Sequence, residues 1–494
     1  LVIAYRELRL LELEILRASS IYQSELSIHS LINLNVDQFF GIEIEEFPAQ
    51  IAQVALWLMD HQMNLLVSEE FGLYFARIPL ETSAKIVCGN ALTLDWEEVS
   101  PARNLSYIMG NPPFVGKKEQ SKDQKNEVLS IFQDVKGVGL LDYVSCWYKL
   151  AADQMKKNNL IEAAFVSTNS ITQGEQVGVL WSWMLEQGMK IFFAHRTFQW
   201  NNEARGKAAV HCVIIGFAGF DISPKWIFEY ENIKGEPQKI KAQNINPYLV
   251  DASNIVLQSR TYPICHVTEM IKGNEATDGG HLIMNDEEKN ILIAQDVKSG
   301  KWIRLLLGGD DYLNGGRRWC LWLQGIEPKE MLSVPAVVKR LESVKLFRES
   351  SPKAATVAKA KTPYLFGENR QPKKGSMIVV PKVSSERRDY APLSFIDSNI
   401  ILNNTLQFIP NGNLYELGIL QSTMHMSWLR VVAGRMKSDY QYSIKIVYNN
   451  FPWPENPTEK QKQAIENAAQ GVLDARAQFP NSSLADLYDP LTMP

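Results

Sequence analysis

The chain has few cysteines and no long hydrophobic run. Its 494 residues include five cysteines, none at the spacing of a metal-binding pair. We therefore expect reduced core thiols in a cytoplasmic protein without a metal site. No apolar segment approaches the roughly 20 residues of a membrane-spanning helix. A chain of this length is expected to form two or more domains. The cysteines are Cys88, Cys146, Cys212, Cys265 and Cys320.

The chain also lacks an overall excess of positive charge. Its net charge is −4, yet residues 336–390 hold thirteen Lys or Arg against five Asp or Glu, a local balance of +8. A basic segment in an otherwise acidic chain is typical of a surface that binds nucleic acid phosphates. A solvated, mobile linker is the alternative, because residues 350–363 have the composition of one.

The most informative motif, GNPPF, occupies residues 110–114 after a short apolar segment. Proline fixes its own φ and stiffens the turn at Pro112 and Pro113. The side-chain carbonyl of Asn111 and the backbone carbonyl of Pro112 can therefore accept hydrogen bonds from one amino group, while Phe114 stacks on the attached ring. This arrangement favours methyl transfer to an amino nitrogen, because it orients the lone pair towards an electrophile. An ordinary Pro-Pro turn is the alternative.

Two polar strand ends precede this motif. Residues 39–45, FFGIEIE, form an apolar segment that ends in carboxylates. An acidic residue at the tip of a strand commonly binds the ribose hydroxyls of a cofactor, so Glu43 is the candidate, with Ile44 beside the adenine ring. A second strand ends in GNAL, where Asn90, followed by Ala91, could meet the adenine edge. Plain strand-end polarity is the alternative for each motif alone.

The order of these motifs resembles that of amino-methylating DNA methyltransferases that use S-adenosylmethionine. Two further segments, LDY and FVSTNS, continue the same order. More closely, nearly the whole chain resembles the methyltransferase and target-recognition portion of the MmeI-like type IIL restriction-modification enzymes. The most specific strings are RTFQWNNEARGK at residues 196–207, PKVSSERR at residues 381–388 and GRMKSDY at residues 434–440.

The resemblance implies an α/β fold followed by an α+β domain. A Rossmann-like methyltransferase domain with a mostly parallel sheet is expected over residues 1–219. A target-recognition domain that binds double-stranded DNA is expected over residues 220–450, and a helical tail over residues 451–494. The coarse pattern of strands separated by helical periods agrees with the first of these expectations.

The resemblance also implies a reaction and its residues. The N6 amino group of an adenine would receive the methyl group after the base has been flipped out of the duplex. Asn111 and Pro112 would hold the amine, and Trp200 or Phe198 would cover the free face of the base. The residues expected to contact DNA are Lys382, Arg387, Arg388, Arg435 and Lys437.

One motif of the family is missing from the sequence. The family binds the methionine part of the cofactor through a Gly-rich loop, and no such loop occurs here. We therefore expect a piece of a longer protein, inactive by itself, with an amino-terminal nuclease and helical region of the same polypeptide outside it. Two other functions stay open: a DNA-binding recognition module without catalysis, and an RNA or protein amino-methyltransferase.

Overall fold

A computed structural model of the protein describes residues 1–19, 32–71, 83–200, 210–436 and 438–494. The chain divides into two compact units that alternate along the sequence. The first unit comprises residues 1–168, 183–198 and 212–245, and the second comprises residues 169–182, 199–211 and 246–494. The domain boundaries expected from the sequence remain a prediction, because the two compact units have different boundaries.

Strands and helices alternate through the first unit, as the sequence pattern predicts. Polar turns and helices separate the short strands. The strands are β1 (Phe40–Glu43), β2 (Lys85–Cys88), β3 (Tyr107–Gly110), β4 (Glu162–Thr168), β5 (Lys190–Trp200), β6 (Val210–Ala218), β7 (Lys225–Glu229) and β8 (Gln238–Ala242). The helices are α1 (Val2–Ser19), α2 (Glu46–Phe71), α3 (Trp96–Val99), α4 (Lys122–Ile131), α5 (Ser145–Lys157) and α6 (Gly174–Glu186), the last of which is divided between the units.

The strands of the first unit pair mostly in parallel. β1 pairs with β2, β3 with β4, and β5 with β7 in parallel, whereas β4 with β6 and β7 with β8 pair antiparallel. The Rossmann-like α/β fold is thus confirmed, with parallel pairing in part of its sheet. In the described part of the chain these strands lie in two sheets, β1-β2 and β3-β4-β6-β5-β7-β8.

Aromatic side chains fill the core behind the larger sheet. Every second residue of β4 is buried, which is the alternation expected of a strand with one covered face. Tyr148 of α5 lies between Phe165 and Phe217, with ring centroids 5.3 Å and 5.2 Å away. These contacts fix α5 against the sheet and so position the loop that precedes this helix.

A buried polar network joins α1 to α2. The guanidinium of Arg9 donates to the Tyr5 hydroxyl at 2.9 Å and to Asn64 Oδ1 at 3.1 Å, and it lies 3.3 Å from Asp60 Oδ1. A buried charge is tolerated only when it is paired and hydrogen-bonded, as it is here. The network therefore fixes the relative position of α1 and α2, and α2 begins three residues after Glu43.

The second unit has an irregular α+β fold, as predicted. Short strands and helices alternate with turns. Its strands are β9 (Ile271–Lys272), β10 (Ile283–Met284), β11 (Ile303–Leu307), β12 (Arg318–Leu321), β13 (Ser376–Pro381), β14 (Val383–Ser384), β15 (Ser394–Asp397), β16 (Ile401–Leu402), β17 (Leu406–Pro410), β18 (Gly434–Met436) and β19 (Asp439–Gln441). Its helices are α7 (Asp286–Gln295), α8 (Gly309–Asn314), α9 (Pro328–Leu332), α10 (Pro335–Glu349), α11 (Ala354–Ala358), α12 (Leu414–Leu420), α13 (Thr423–Val432), α14 (Glu459–Ala477) and α15 (Leu484–Tyr488).

A buried arginine anchors the segment that resembles a linker in sequence. The Arg348 side chain, at the end of α10, is fully buried and donates hydrogen bonds to five backbone carbonyls. They belong to Ala276, Thr277, Lys359, Thr362 and Leu365, at 2.8–3.0 Å. The mobile-linker alternative for residues 350–363 is therefore wrong. The segment includes α11 and is held to α10 through its own carbonyls.

Two kinds of feature are absent from the described residues. None of the helices in those ranges combines the length and apolar character needed to cross a membrane. No group of three or more His, Cys, Asp or Glu side chains in the same ranges could hold a metal ion.

Candidate functional site

The GNPPF motif lies where β3 ends. Gly110 is the last residue of β3 and pairs in parallel register with Phe165 of β4. Asn111 follows at the carboxyl edge of the sheet with an exposed side chain, while Pro112 is buried and Phe114 is half-buried. Within the described ranges, no hydrogen bond engages the Asn111 amide. Its carbonyl oxygen is therefore available to a bound amino group.

The LDY segment fixes the loop that carries this motif. The backbone N–H of Tyr143 donates to the Val115 carbonyl at 3.0 Å. The Asp142 carboxylate accepts from the Lys117 backbone N–H at 2.9 Å. Gln120 Nε2 also donates to the Leu141 carbonyl at 3.0 Å. The loop is thus held at several points and does not depend on the two prolines alone.

The two predicted cofactor-binding segments meet at one edge of the β1-β2 sheet. Glu43 stands opposite Cys88 in parallel register, and the Gly89 N–H donates to the Glu43 carbonyl at 2.8 Å. One carboxylate oxygen of Glu43, Oε1, accepts from the Ile44 N–H at 2.9 Å, and Ile44 itself is 67% exposed. The other carboxylate oxygen has no partner in the described part of the chain. Glu43 can therefore accept hydrogen bonds from hydroxyl groups.

The Asn90 side chain makes hydrogen bonds within the protein that the sequence does not predict. Its Oδ1 accepts from the Leu92 N–H at 2.9 Å, and its Nδ2 donates to Glu127 Oε1 at 2.6 Å. The other oxygen of Glu127 accepts from the Tyr143 hydroxyl. A continuous chain of contacts thus runs from Asn90 through Glu127 to Tyr143 and on to Val115. The chain connects the loop after β2 to the loop after β3.

The environment keeps the partners of Glu127 protonated. Burial, as the larger cause, and the hydrogen bond to Glu127 both raise the pKa of Tyr143 well above its usual range. Burial is the larger cause and the nearby Glu127 charge the smaller one of a rise in the pKa of the Cys146 thiol to about 12. Tyr143 is therefore a hydrogen-bond donor to Glu127 at any physiological pH, and Cys146 is an inert thiol.

Glu127 is the residue that sequence reasoning missed. It lies on the short polar helix α4, whose start is marked by a capping box between Ser121 and Gln124. The capping box predicts the helix. A single Glu on a polar helix carries no signal of its partners, because Asn90 and Tyr143 are 37 and 16 residues away.

Phe198 and Trp200 are the two candidates for stacking on a base, and the structure describes the side chain of Phe198 alone. Phe198 is half-buried and stacks on Tyr230, with centroids 5.3 Å apart and ring planes 24° apart. Tyr230 in turn bonds through its hydroxyl to His195 Nδ1 at 2.8 Å. Burial lowers the pKa of His195, which favours the neutral ring. The side chain of Trp200 lies outside the described residues.

In the second unit, two segments predicted to bind DNA form one small sheet. β14, which directly follows Lys382, pairs with β19, and β19 pairs with β18. Ser384 and Arg435 both stand opposite Tyr440, on its two sides. The guanidinium of Arg435 lies 3.8 Å from the centre of the Tyr440 ring and donates to the Ser438 carbonyl at 2.9 Å. Lys437 lies outside the described residues.

Arg387 and Arg388 follow β14 but have different surroundings. Arg387 is 59% exposed in its side chain and donates to Asp489 Oδ2 at 2.7 Å. Arg388 is half-buried, its Nη1 lies 3.5 Å from Ser384 Oγ, and burial lowers its pKa. Arg387 is thus the more accessible of the two.

Sequence profiles of three domains match consecutive parts of the chain. They describe the DNA-methyltransferase domain of MmeI over residues 1–229, the MmeI target recognition domain over residues 251–455, and the MmeI C-terminal domain over residues 457–494.

Two similar proteins match over the full chain. DNA methyltransferase A of Bacillus subtilis (strain 168) is 40% identical, with an alignment that covers 100% of this chain and 55% of that protein. A solved structure of the type IIL restriction-modification enzyme MmeI in complex with DNA is 51% identical, with a TM-score of 0.89 and coverage of 100% of this chain and 66% of that one. The chain therefore spans 55% and 66% of the lengths of these two relatives.

Proposed function

The chain belongs to the MmeI family, and from that membership we propose that the protein is a site-specific DNA methyltransferase of a restriction-modification system. The proposed reaction transfers a methyl group from S-adenosylmethionine to the N6 amino group of a flipped adenine in duplex DNA. The proposed domains are those expected from the sequence, with catalysis in residues 1–219 and target recognition in residues 220–450. A nuclease and helical region of the same polypeptide are proposed as partners of this chain.

The observation that carries the proposal is the free Asn111 amide at the end of β3. A carboxamide carbonyl that no described residue uses, beside a buried Pro112, matches an acceptor for an exocyclic amino group. The loop is fixed by Tyr143 and Asp142, so the acceptors keep their positions when a base arrives. The name of the Bacillus subtilis relative, DNA methyltransferase A, supports the same reaction class.

The described residues fit the nucleoside half of the proposed cofactor. Glu43 has a carboxylate oxygen to offer to ribose hydroxyls, and the exposed Ile44 offers an apolar contact to adenine. Asn90 and Ala91 complete this edge through the loop after β2. S-adenosylmethionine supplies a methylsulfonium electrophile when bound.

The mechanism proposed for the chain's own residues is orientation of the amine. Asn111 Oδ1 and the Pro112 carbonyl accept hydrogen bonds from the two amino N–H groups, so that the nitrogen lone pair points away from them. The new N–C bond would form as the bond between the methyl group and the cofactor sulfur breaks, which would leave a neutral thioether. One proton then leaves the amine for solvent. Phe114 and Phe198 are proposed to stack on the base, with Trp200 as a further candidate for stacking, and Pro113 stiffens the loop.

The type of nucleic acid is proposed from the second unit. The MmeI structure is described as a complex with DNA, and the basic segment of residues 336–390 supports the same partner here. Lys382, Arg387, Arg388, Arg435 and Lys437 are the proposed contacts, in which Arg can read guanine edges and Lys meets phosphate.

Analysis of the modified nucleosides tests the proposal. DNA incubated with the full natural protein and S-adenosylmethionine is digested to nucleosides, which are then separated and weighed by mass spectrometry. We expect N6-methyl-2′-deoxyadenosine, because the NPPF motif in this family is associated with adenine. Methylation of cytosine N4 alone would overturn the choice of base, and methylation of RNA or protein without DNA would overturn the substrate class.

A further inference from the structure

The carboxyl-terminal segment contributes a carboxylate to one of the proposed DNA contacts. Asp489 directly follows α15, and its Oδ2 accepts from Arg387 Nη2 at 2.7 Å across 102 residues of sequence. The Asp489 side chain is only 14% exposed, while that of Arg387 is 59% exposed. A fixed, largely buried anion thus lies against an accessible cation.

Several contacts fix Asp489 in place. Its Oδ1 accepts from the Leu491 N–H at 3.0 Å, which closes the turn that follows α15. The neighbouring Tyr488 hydroxyl accepts from Gln421 Nε2 at 2.9 Å, and the Arg476 guanidinium lies 4.8 Å from the centre of the Tyr488 ring. Leu484, at the start of α15, packs against a buried core cluster of the same unit. The carboxylate is therefore part of the folded core and not of a loose tail.

The ion pair leaves most of Arg387 available. A guanidinium has five N–H donors, and within the described ranges the Arg387 side chain makes no hydrogen bond other than the one to Asp489. Two donors in a fixed fork are enough to read a guanine edge. The positive charge, in contrast, is partly cancelled by Asp489. A long-range attraction to phosphate depends on that charge, whereas a bidentate contact to a base edge depends on orientation.

From this geometry we propose that Asp489 is a positioning residue that holds Arg387 for contact with a base and withholds it from non-specific binding to phosphates. The proposal assigns the carboxyl-terminal segment a part in target discrimination. It rests on the proposed DNA-binding function of the second unit.

Binding of the whole chain to a random-sequence duplex tests the proposal, with fluorescence anisotropy measured over a series of salt concentrations. Asp489→Asn keeps an oxygen for the Leu491 N–H but removes the charge that pairs with Arg387. We expect this variant to bind the random duplex about 3- to 10-fold more tightly, with a salt slope steeper by about 0.9, because one more phosphate contact forms. Glu455→Gln is the matched control, since Glu455 is exposed and its loss changes the net charge by the same amount.

One further variant keeps the test independent of the folding of Asp489→Asn, and a double variant tests whether the gain in affinity acts through Arg387. Arg387→Gln in the wild-type background should leave the salt slope on random duplex within about 0.3 of wild type, because the paired arginine does not contribute to it. Arg387→Gln in the Asp489→Asn background should abolish the gain in affinity.

Each outcome has a defined consequence. Binding by Asp489→Asn that equals that of Glu455→Gln, or is weaker, overturns the role of Asp489. A slope that falls by about 0.9 in Arg387→Gln alone also overturns it, because Arg387 would then already contact phosphate. If the wild-type chain itself shows no salt-dependent binding to duplex DNA, the proposed DNA-binding function fails as well.

Discussion

A single carboxylate, Glu127, accepts hydrogen bonds from both sides of the candidate site. It holds Asn90, in the loop after β2, and Tyr143, whose backbone fixes the loop that carries Asn111. Because a small misplacement of reacting groups is costly in rate, a residue that touches neither substrate nor cofactor can still control catalysis. We interpret Glu127 as a positioning residue that couples the two loops.

Glu127→Ala in the full natural protein should lower methylation kcat/KM by on the order of 10- to 100-fold, because both loops lose a fixed partner. Glu127→Gln should recover most of the activity, since a carboxamide can still accept from Asn90. Steady-state kinetics are the measurement, and both the KM for S-adenosylmethionine and kcat should change in the Ala variant. Asn126→Ala, an exposed neighbour on α4, is the control. Equal kinetics for Glu127→Ala and this control would contradict the coupling.

The single residues could be predicted only where the sequence itself carries their chemistry. Asn111 stands in a motif whose prolines and aromatic ring indicate a turn that binds an amino group, and Glu43 ends an apolar strand. Glu127 and Asp489 have no such context, because their roles arise from partners that are distant in sequence. Only the folded chain brings these partners together.

At the scale of elements, the strands and helices of the first unit were predictable because apolar segments alternate with polar turns. The apolar segments that end at Glu43 and just before Asn111 form β1 and β3. Composition misled for residues 350–363, where Ser, Lys and Pro indicated a linker. The energetic reason for order there is the buried Arg348, whose guanidinium donates to the Lys359 and Thr362 carbonyls of this segment.

Arg348→Ala should destabilise the second unit by about 3–5 kcal/mol, because a large side chain leaves a cavity and the Thr277 and Leu365 carbonyls lose the donor that the described residues give them. Limited proteolysis should then cut within residues 350–363, and the thermal unfolding midpoint should fall. Lys345→Ala on the same helix is the control. Its side chain is 56% exposed and its ion pair with Glu349 contributes about 0–1 kcal/mol. Resistance to proteolysis equal to that of the control would show that the anchor is not needed.

At the scale of the whole molecule, charge counted along the sequence overstates the charge available to a partner. Arg348 is buried among carbonyls, and Arg387 is paired with Asp489, which lies outside residues 336–390. The local balance of +8 therefore includes cations that are already neutralised or inaccessible. A DNA-binding surface still fits the segment, but its salt dependence should reflect fewer contacts than the thirteen basic residues indicate.

The sequence also leads to a prediction of how tightly the whole chain binds the cofactor. The sequence has no Gly-rich loop of the family type, and the contacts proposed for Glu43 and Asn90 are to the nucleoside alone. Calorimetric titration of the 494-residue chain with S-adenosylmethionine should therefore give weak binding or none. A dissociation constant in the low micromolar range would contradict this prediction, and would mean that other residues hold the methionine end.

The central claim, that Asn111 holds the amino group that is methylated, is tested most directly by Asn111→Ala in the full natural protein. Methyl transfer to DNA and affinity for the same duplex are measured in parallel, with Asn126→Ala as the control for loss of an exposed Asn. Methylation should be abolished while DNA affinity stays within about 3-fold of wild type, because the amide contacts one flipped base and not the backbone. Retention of more than about a tenth of wild-type turnover would contradict the claim.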